Sequence, residues 1–182
     1  MNPNGDPREE LRAAIDSMAE DRARTLLGWL RMDRRHREAT AGGGAQAVGS
    51  DEQTVGPLGD LLGIVAELRE PGRSRMRLEV DPAFFNPNGV LHGGVVYTLV
   101  DSSMGIAVSS GLMEGEHCAT IDVTISYLAP VREGTLTVNT GVVKQGRNIA
   151  FTESKVTDGE GRLVATASGS MFVLRGHSDS AG

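Results

Sequence analysis

Residues 84–112 read FFNPNGVLHGGVVYTLVDSSMGIAVSSGL. A polar loop runs here into one long, nearly all-apolar helix. Val95, Val96, Leu99, Val100, Met104, Ile106, Ala107 and Val108 spread apolar surface most of the way round it. Such a helix is expected inside a protein, wrapped by other elements. Asp101 is the single carboxylate within it, and Asn86, His92, Gly93 and Gly94 stand at its mouth. These polar exceptions are the candidate functional residues.

The flanking chain supplies a wrapper of strands. Gly63–Arg69 and Arg75–Val80 are joined by the turn-forming Glu70-Pro71-Gly72. Ala119–Leu128 alternates, with Ile121, Val123, Ile125 and Tyr127 on one side and Thr120, Asp122, Thr124 and Ser126 on the other. Leu136–Lys144 and Ile149–Asp158 flank Gln145-Gly146-Arg147, a hairpin signal, and Leu163–Leu174 is the last strand. Pro57–Leu62 reads as a short turn or helix and Asp81–Leu91 as a loop. The central helix is expected to end near Gly111, where a glycine can turn left-handed. One long helix with five or six mostly antiparallel strands is an α+β arrangement. With one helix to cover it, the sheet is expected to curl around that helix. The poorly alternating, small-residue segments Thr137–Val143 and Val164–Ser170 point to a close-packed face and to oligomerisation.

The chain of 182 residues therefore divides into an extension, residues 1–56, a folded unit, 57–174, and a polar tail, 175–182. Residues 9–38 carry Leu11, Ile15, Met18, Leu26, Leu27 and Leu30 at roughly helical spacing, followed by a Gly-rich linker. Composition narrows the function classes. Apolar residues make up 39% of the chain, and 18 basic against 24 acidic residues leave a net charge of −6. That balance argues against nucleic acid as a partner but leaves room for a small anionic ligand held by a few local cations. The lone Cys118 rules out an intrachain disulfide. No signal pattern and no uncharged apolar run of membrane length is present, so a cytoplasmic protein is expected.

The residue types at the helix mouth suit carbonyl chemistry. The first N–H groups of a helix lack intrahelical partners and sit at the positive end of its dipole. Glycines there let a carbonyl oxygen approach, which is how an oxyanion hole is built; they also serve simply to ease a tight junction. His92 is placed to cap the helix, hold the loop or donate to a substrate, and it has no partners at metal-ligand spacing. Asn86, in a loop with Pro82 and Pro87, either donates to a carbonyl or satisfies the loop backbone. A carboxylate buried in an apolar helix, as expected of Asp101, needs a hydrogen-bonded partner or a use as base or nucleophile. Thr120, on one face with Asp122 by alternation, is placed to help Asp101 hold a water, or both are ordinary strand residues. Gly93 and Asp101 are eight residues apart, about 12 Å along one helix. They cannot both touch one scissile carbonyl in the same chain. If both act on one substrate, a second copy supplies one of them, at a two-fold interface.

NPNGVLHGGVVYTLVDSSMG at 86–105, TIDVTISYLAP at 120–130, EG at 133–134, KQGRN at 144–148 and DGEGRLVATASGSMFVL at 158–174 occur in one order. In that combination the chain resembles the hotdog-fold acyl-CoA thioesterases of the phenylacetic-acid-degradation (PaaI-like) branch over residues 57–174. The resemblance implies a curved antiparallel sheet wrapped around one long central helix, dimers with a continuous sheet, and tetramers formed by pairs of dimers. It implies an acyl-CoA substrate, no metal and no organic cofactor. The carbonyl-binding amide falls on Gly93, with Asn86 and His92 beside it. The catalytic carboxylate falls on Asp101 of the other subunit, and a water-positioning hydroxyl on Thr120. Lys144, Arg147, Arg132 and Arg162 become candidates for the coenzyme A phosphates. Two other readings stay open. A hotdog hydratase needs a D-x-N-x-x-H string that the chain lacks. A non-enzymatic acyl-CoA sensor would pair the domain with a DNA-binding module, yet residues 1–40 are charge-balanced and 9–38 reads as one helix.

Overall fold

The alternation and turn residues described above become six strands and two helices. In a computed structural model the described residues are 55–174, together with Glu9, Arg12, Ala13 and Asp16, which are helical and exposed. The remainder of the expected helix at 9–38, most of the linker and the tail lie outside the described residues. The elements are α1 (Pro57–Leu62), β1 (Ile64–Glu70), β2 (Arg73–Glu79), a 3-10 turn (Pro82–Phe84), α2 (Gly93–Ser109), β3 (His117–Tyr127), β4 (Thr135–Gln145), β5 (Ile149–Asp158) and β6 (Leu163–Leu174). Proline opens α1, where a missing N–H costs nothing, and Gly63 closes it with φ +74°. Pro71 and Gly72 turn β1 into β2, with Gly72 at φ +77°.

All pairings are antiparallel, in the order β1-β2-β4-β5-β6-β3. The inner face of the sheet presents Met76, Leu78, Leu136, Val138, Val156 and Met171, all fully buried, to Leu99, Val100, Met104 and Val108 of α2. Small residues let the helix settle closely. A Cβ on Gly169 would lie 2.9 Å from Met104 Sδ and 2.9 Å from Asp122 O.

The expectation of a curved sheet wrapped around the helix is overturned. The sheet is open, β1 and β3 are its two edges, and α2 lies across one face. Gly94, Tyr97 and Ser109 are exposed, and Thr98, Asp101, Ser102 and Gly105 are half-buried. The small and polar residues at 94, 98, 101, 105 and 109 recur at helical spacing and form a stripe that the sheet does not cover. Asp101 is therefore at the margin of the core and not inside it. Nor does Gly111 turn left-handed. Ser110 follows the helix in right-handed geometry, and a Cβ on Gly111 would lie 3.6 Å from Pro71 Cα and Cβ. The β1–β2 turn then reaches the helix end, and Gly72 N–H donates to Ala107 O at 3.0 Å, satisfying a terminal carbonyl.

The core holds one polar network. Ser74 Oγ donates to Ser103 O (2.7 Å) and touches Ser103 Oγ (2.7 Å); Ser103 Oγ meets Thr140 Oγ1 (2.7 Å), which meets Ser154 Oγ (2.7 Å). All four side chains are buried, and no buried side-chain polar atom among the described residues lacks a partner. The network ties α2 to β2, β4 and β5. No helix among the described residues is long and apolar enough to cross a membrane.

Candidate active site

The loop before α2 is built by short-range hydrogen bonds. Asp81 caps the 3-10 turn through Ala83 N–H (2.9 Å). Asn86 N–H donates to Val90 O (2.8 Å), and Asn86 Oδ1 accepts from Asn88 N–H (2.9 Å), an Asx turn closed by Gly89 at φ +69°. Leu91 N–H then donates to Val131 O (2.8 Å), which pins the loop to the β3–β4 connection. The Asn86 Oδ1 is thus spent on the loop, while its Nδ2 group has no hydrogen bond among the described residues.

His92 is the N-cap of α2, and its Nδ1 accepts from Gly94 N–H at 2.9 Å. Gly93 is the first helical residue, so its own N–H has no intrahelical partner. Its carbonyl accepts from the Tyr127 hydroxyl at 2.8 Å. Asn86, Gly93 and Tyr127 line one cleft of about 350 Å³, whose other walls include Leu91, Val96, Leu128, Val131 and Val164. The cleft is apolar on one side and offers amide donors on the other.

Two turns along, Asp101 Oδ1 accepts from Thr120 Oγ1 at 2.8 Å. A bulge makes this contact. β3 pairs Thr120 with Met171 and Asp122 with Ser170, which leaves Ile121 as the extra residue. Thr120 therefore faces the helix, and Asp122 faces the opposite side, where it accepts from the Ser170 hydroxyl. The expected placement of Thr120 and Asp122 on one face is corrected by that extra residue. Cys118 lies close by, its thiol directed at Gly105 O (3.5 Å). Burial, and then the charge of Asp101, push the Cys118 pKa up, so the thiol stays protonated at neutral pH and is unsuited to be a nucleophile. Burial, and then Tyr97, likewise raise the Tyr127 pKa, which keeps its O–H as a donor.

The structure thus brings Asn86, His92 and Gly93 together at the helix start and pairs Asp101 with Thr120. The two groups remain separated by about 12 Å of helix. Lys144 and Arg147 join neither. They belong to the β4–β5 hairpin, at the far end of strands whose near end is the Leu136–Asp158 pair. Arg132 and Arg162 line a second groove of about 410 Å³ that shares Pro130 and Val131 with the first. Glu133, Asp158 and Glu160 line it too, and Arg162 Nε is held by Asp158 Oδ2 at 2.9 Å. Tyr127 is the residue that sequence reasoning missed. Alternation placed it among apolar neighbours, and its one signal was a hydroxyl on a face of Val and Ile.

An open antiparallel sheet in this strand order, carrying one long helix whose first amide opens a cleft, defines a protein of the hotdog class. Residues 88–165 match the model of the Thioesterase superfamily. Human acyl-coenzyme A thioesterase 13 is 32% identical over 99 residues, covering 52% of this chain and 69% of that one. The 1,4-dihydroxy-2-naphthoyl-CoA hydrolase of Listeria monocytogenes is 26% identical over 107 residues, covering 59% and 87%. Among solved structures, a thioesterase from Haemophilus influenzae superposes with a TM-score of 0.60 at 28% identity, covering 64% of this chain and 83% of its own. The chain belongs to the thioesterase superfamily, and its general activity is that of a hydrolase acting on thioesters.

Proposed function

We propose that the protein is a PaaI-like acyl-CoA thioesterase whose active site is shared between two subunits. The observation that carries this reading is the separation of two complementary half-sites on one helix. An amide-donor cleft lies at Gly93, and a hydroxyl-supported carboxylate lies at Asp101 about 12 Å away. Asp101 sits on the uncovered stripe of α2, beside the unpaired edge strand β3 that carries Thr120. A second copy docked along that edge, antiparallel to the first, sets each Asp101 against the other subunit's Gly93. The names of the human and Listeria relatives both specify a coenzyme A thioester, which supports the same substrate class here.

In this mechanism the thioester carbonyl oxygen accepts from Gly93 N–H, with Asn86 Nδ2 as a second donor and the α2 dipole behind them. The acyl group lies along Val96, Val131 and Val164; a cleft of about 350 Å³ favours a compact aryl or medium-chain group. Asp101 of the other subunit, one oxygen held by Thr120, takes a proton from water as that water attacks the carbonyl carbon. The C–S bond then breaks, and coenzyme A leaves as thiolate and takes up a proton. Direct attack by Asp101, giving an anhydride that water resolves, uses the same geometry. Lys144 and Arg147 lie at the far end of their own strands, so any hold they have on the coenzyme A phosphates is at the neighbouring subunit's cleft, while Arg132 and Arg162 line a groove beside the cleft of their own chain. The protein acts in the cytoplasm as a dimer that pairs into a tetramer.

A thiol-release assay over acyl-CoA esters from acetyl to palmitoyl, with phenylacetyl and hydroxybenzoyl, tests the reading. Asp101→Asn is expected to lower turnover about 10²- to 10⁴-fold. Turnover near wild type in Asp101→Asn would remove Asp101 from the chemistry. Mixing Asp101→Asn with Asn86→Asp subunits under exchange should restore activity, and its absence despite proven exchange would sink the shared site.

A further inference from the structure

We propose that Tyr127 is a positioning residue that holds the carbonyl-binding corner through the Gly93–Gly94 peptide. The inference rests on the thioesterase reading above. Tyr127 Oη donates to Gly93 O at 2.8 Å. Gly93 O and Gly94 N belong to one planar peptide unit. The N–H of that same unit donates to His92 Nδ1 at 2.9 Å. A phenol, an amide and an imidazole thus form one continuous run of hydrogen bonds, in which each link polarises the next. With Nδ1 engaged as an acceptor, neutral His92 carries its proton on Nε2 and presents a donor away from the loop.

The two rings also fill the space beside the glycines. A Cβ on Gly93 would lie 3.2 Å from Tyr127 Cζ and Oη, and one on Gly94 would lie 3.0 Å from His92 Nδ1. The first peptide plane of α2 is therefore gripped from both sides, by Tyr127 at its oxygen and His92 at its N–H. Tyr127 is itself anchored: β3 pairs it with Ala165, and the next amide, Leu128 N–H, donates to Val164 O at 2.8 Å. The first turn of a helix otherwise frays, because its amides lack intrahelical partners. An oxyanion donor works only if its direction is fixed before charge develops. Tyr127 lines the same cleft as Gly93 and Asn86, so it holds the peptide that directly follows the Gly93 N–H at the place where the carbonyl would dock.

Tyr127→Phe keeps the ring and deletes the O–H. We expect kcat on the best thioester to fall about tenfold with KM within twofold, less than the roughly 10²-fold cost of a 1 Å misplacement. Amide hydrogen exchange, followed by NMR, supplies a readout independent of turnover. Gly94 N–H should exchange at least about tenfold faster in the variant, while Val138 N–H in the core is unchanged. Gly94 and Val138 accelerating together would mean general destabilisation and overturn the proposal. Wild-type kcat in the variant, or wild-type exchange at Gly94, overturns it equally. A wild-type protein silent on every thioester would defeat the hydrolase reading instead, and the Gly94 comparison would still decide whether the clamp exists.

Discussion

Replacing Thr140 by Val should destabilise the protein more than replacing Thr140 and Ser154 together. The four buried hydroxyls leave one arrangement of protons. Ser74 gives its proton to Ser103 O, so Ser103 must donate to Ser74 Oγ, Thr140 to Ser103 Oγ, and Ser154 to Thr140 Oγ1. Thr140→Val is nearly isosteric and takes away the acceptor of the Ser154 proton. Ser154 is 2% exposed, so that donor has no water to turn to. An orphaned buried donor costs about 1–3 kcal/mol. Taking about 2 kcal/mol, and roughly 3–6 °C per kcal/mol for a folded unit of this size, Tm should fall by about 6–12 °C. In the Thr140→Val/Ser154→Ala double variant the orphan is gone and only a net hydrogen bond is lost, so about half of the fall should be recovered. Thermal unfolding by circular dichroism, with urea unfolding at constant m-value, reads both numbers. A double variant less stable than the single one, or a single variant with wild-type Tm, would refute the proton order and the cost assigned to it.

Two further outcomes follow from titratable groups. Burial opposes the Asp158 carboxylate, but hydrogen bonds from Arg162 N–H and Nε and from Glu160 N–H, with the Arg162 charge, hold its pKa below the ordinary 3.8. Because the folded value is the lower one, its contribution is present at neutral pH and lost as pH falls below about 4; Asp158→Asn should narrow the difference in Tm between pH 7 and pH 3, and an unchanged difference would count against this. The Cys118 thiol, raised by burial and then by Asp101, should react slowly with iodoacetamide at pH 8, and Asp101→Asn should speed it roughly two- to fivefold. A rate indifferent to Asp101 would show that the carboxylate does not reach the thiol.

The long helix, the strands and both hairpins were legible because apolar period and turn residues agree along each segment. Their bounds moved by no more than two or three residues, as at Arg73 for an expected Arg75. The open sheet was not legible. Gly94, Thr98, Asp101, Gly105 and Ser109 form a weak stripe within an apolar helix, and summed hydrophobicity hides it. The face of Thr120 was lost for a different reason. A bulge is settled by the partner strand, here by Met171 and Ser170, and nothing local to Thr120 announces it. Asn86 and Gly93 reached the same cleft as the loop chemistry suggested. Lys144 and Arg147 did not, because charge states what a side chain can bind but not which end of a sheet it occupies. Tyr127 escaped notice because a hydrophobicity pattern counts its ring and ignores its hydroxyl.

The bulge at Ile121 changes the parity of β3. Thr120 and Tyr127 are seven positions apart, so a regular strand would send them to opposite faces, yet their partners on β6, Met171 and Ala165, are six apart and share one. The additional residue absorbs the odd step. It lets a single strand offer a hydroxyl to Asp101 at one end and another to Gly93 O at the other. The same β3 residues paired without a bulge would have to choose. Kept in phase at Thr120, they would turn Tyr127 out to the far side of the sheet; kept in phase at Tyr127, they would put the apolar Ile121 opposite Met171, in the place from which Thr120 reaches Asp101. The spacing between the two ends of this site is therefore written in a count of residues on one strand and not in the chemistry of any one of them.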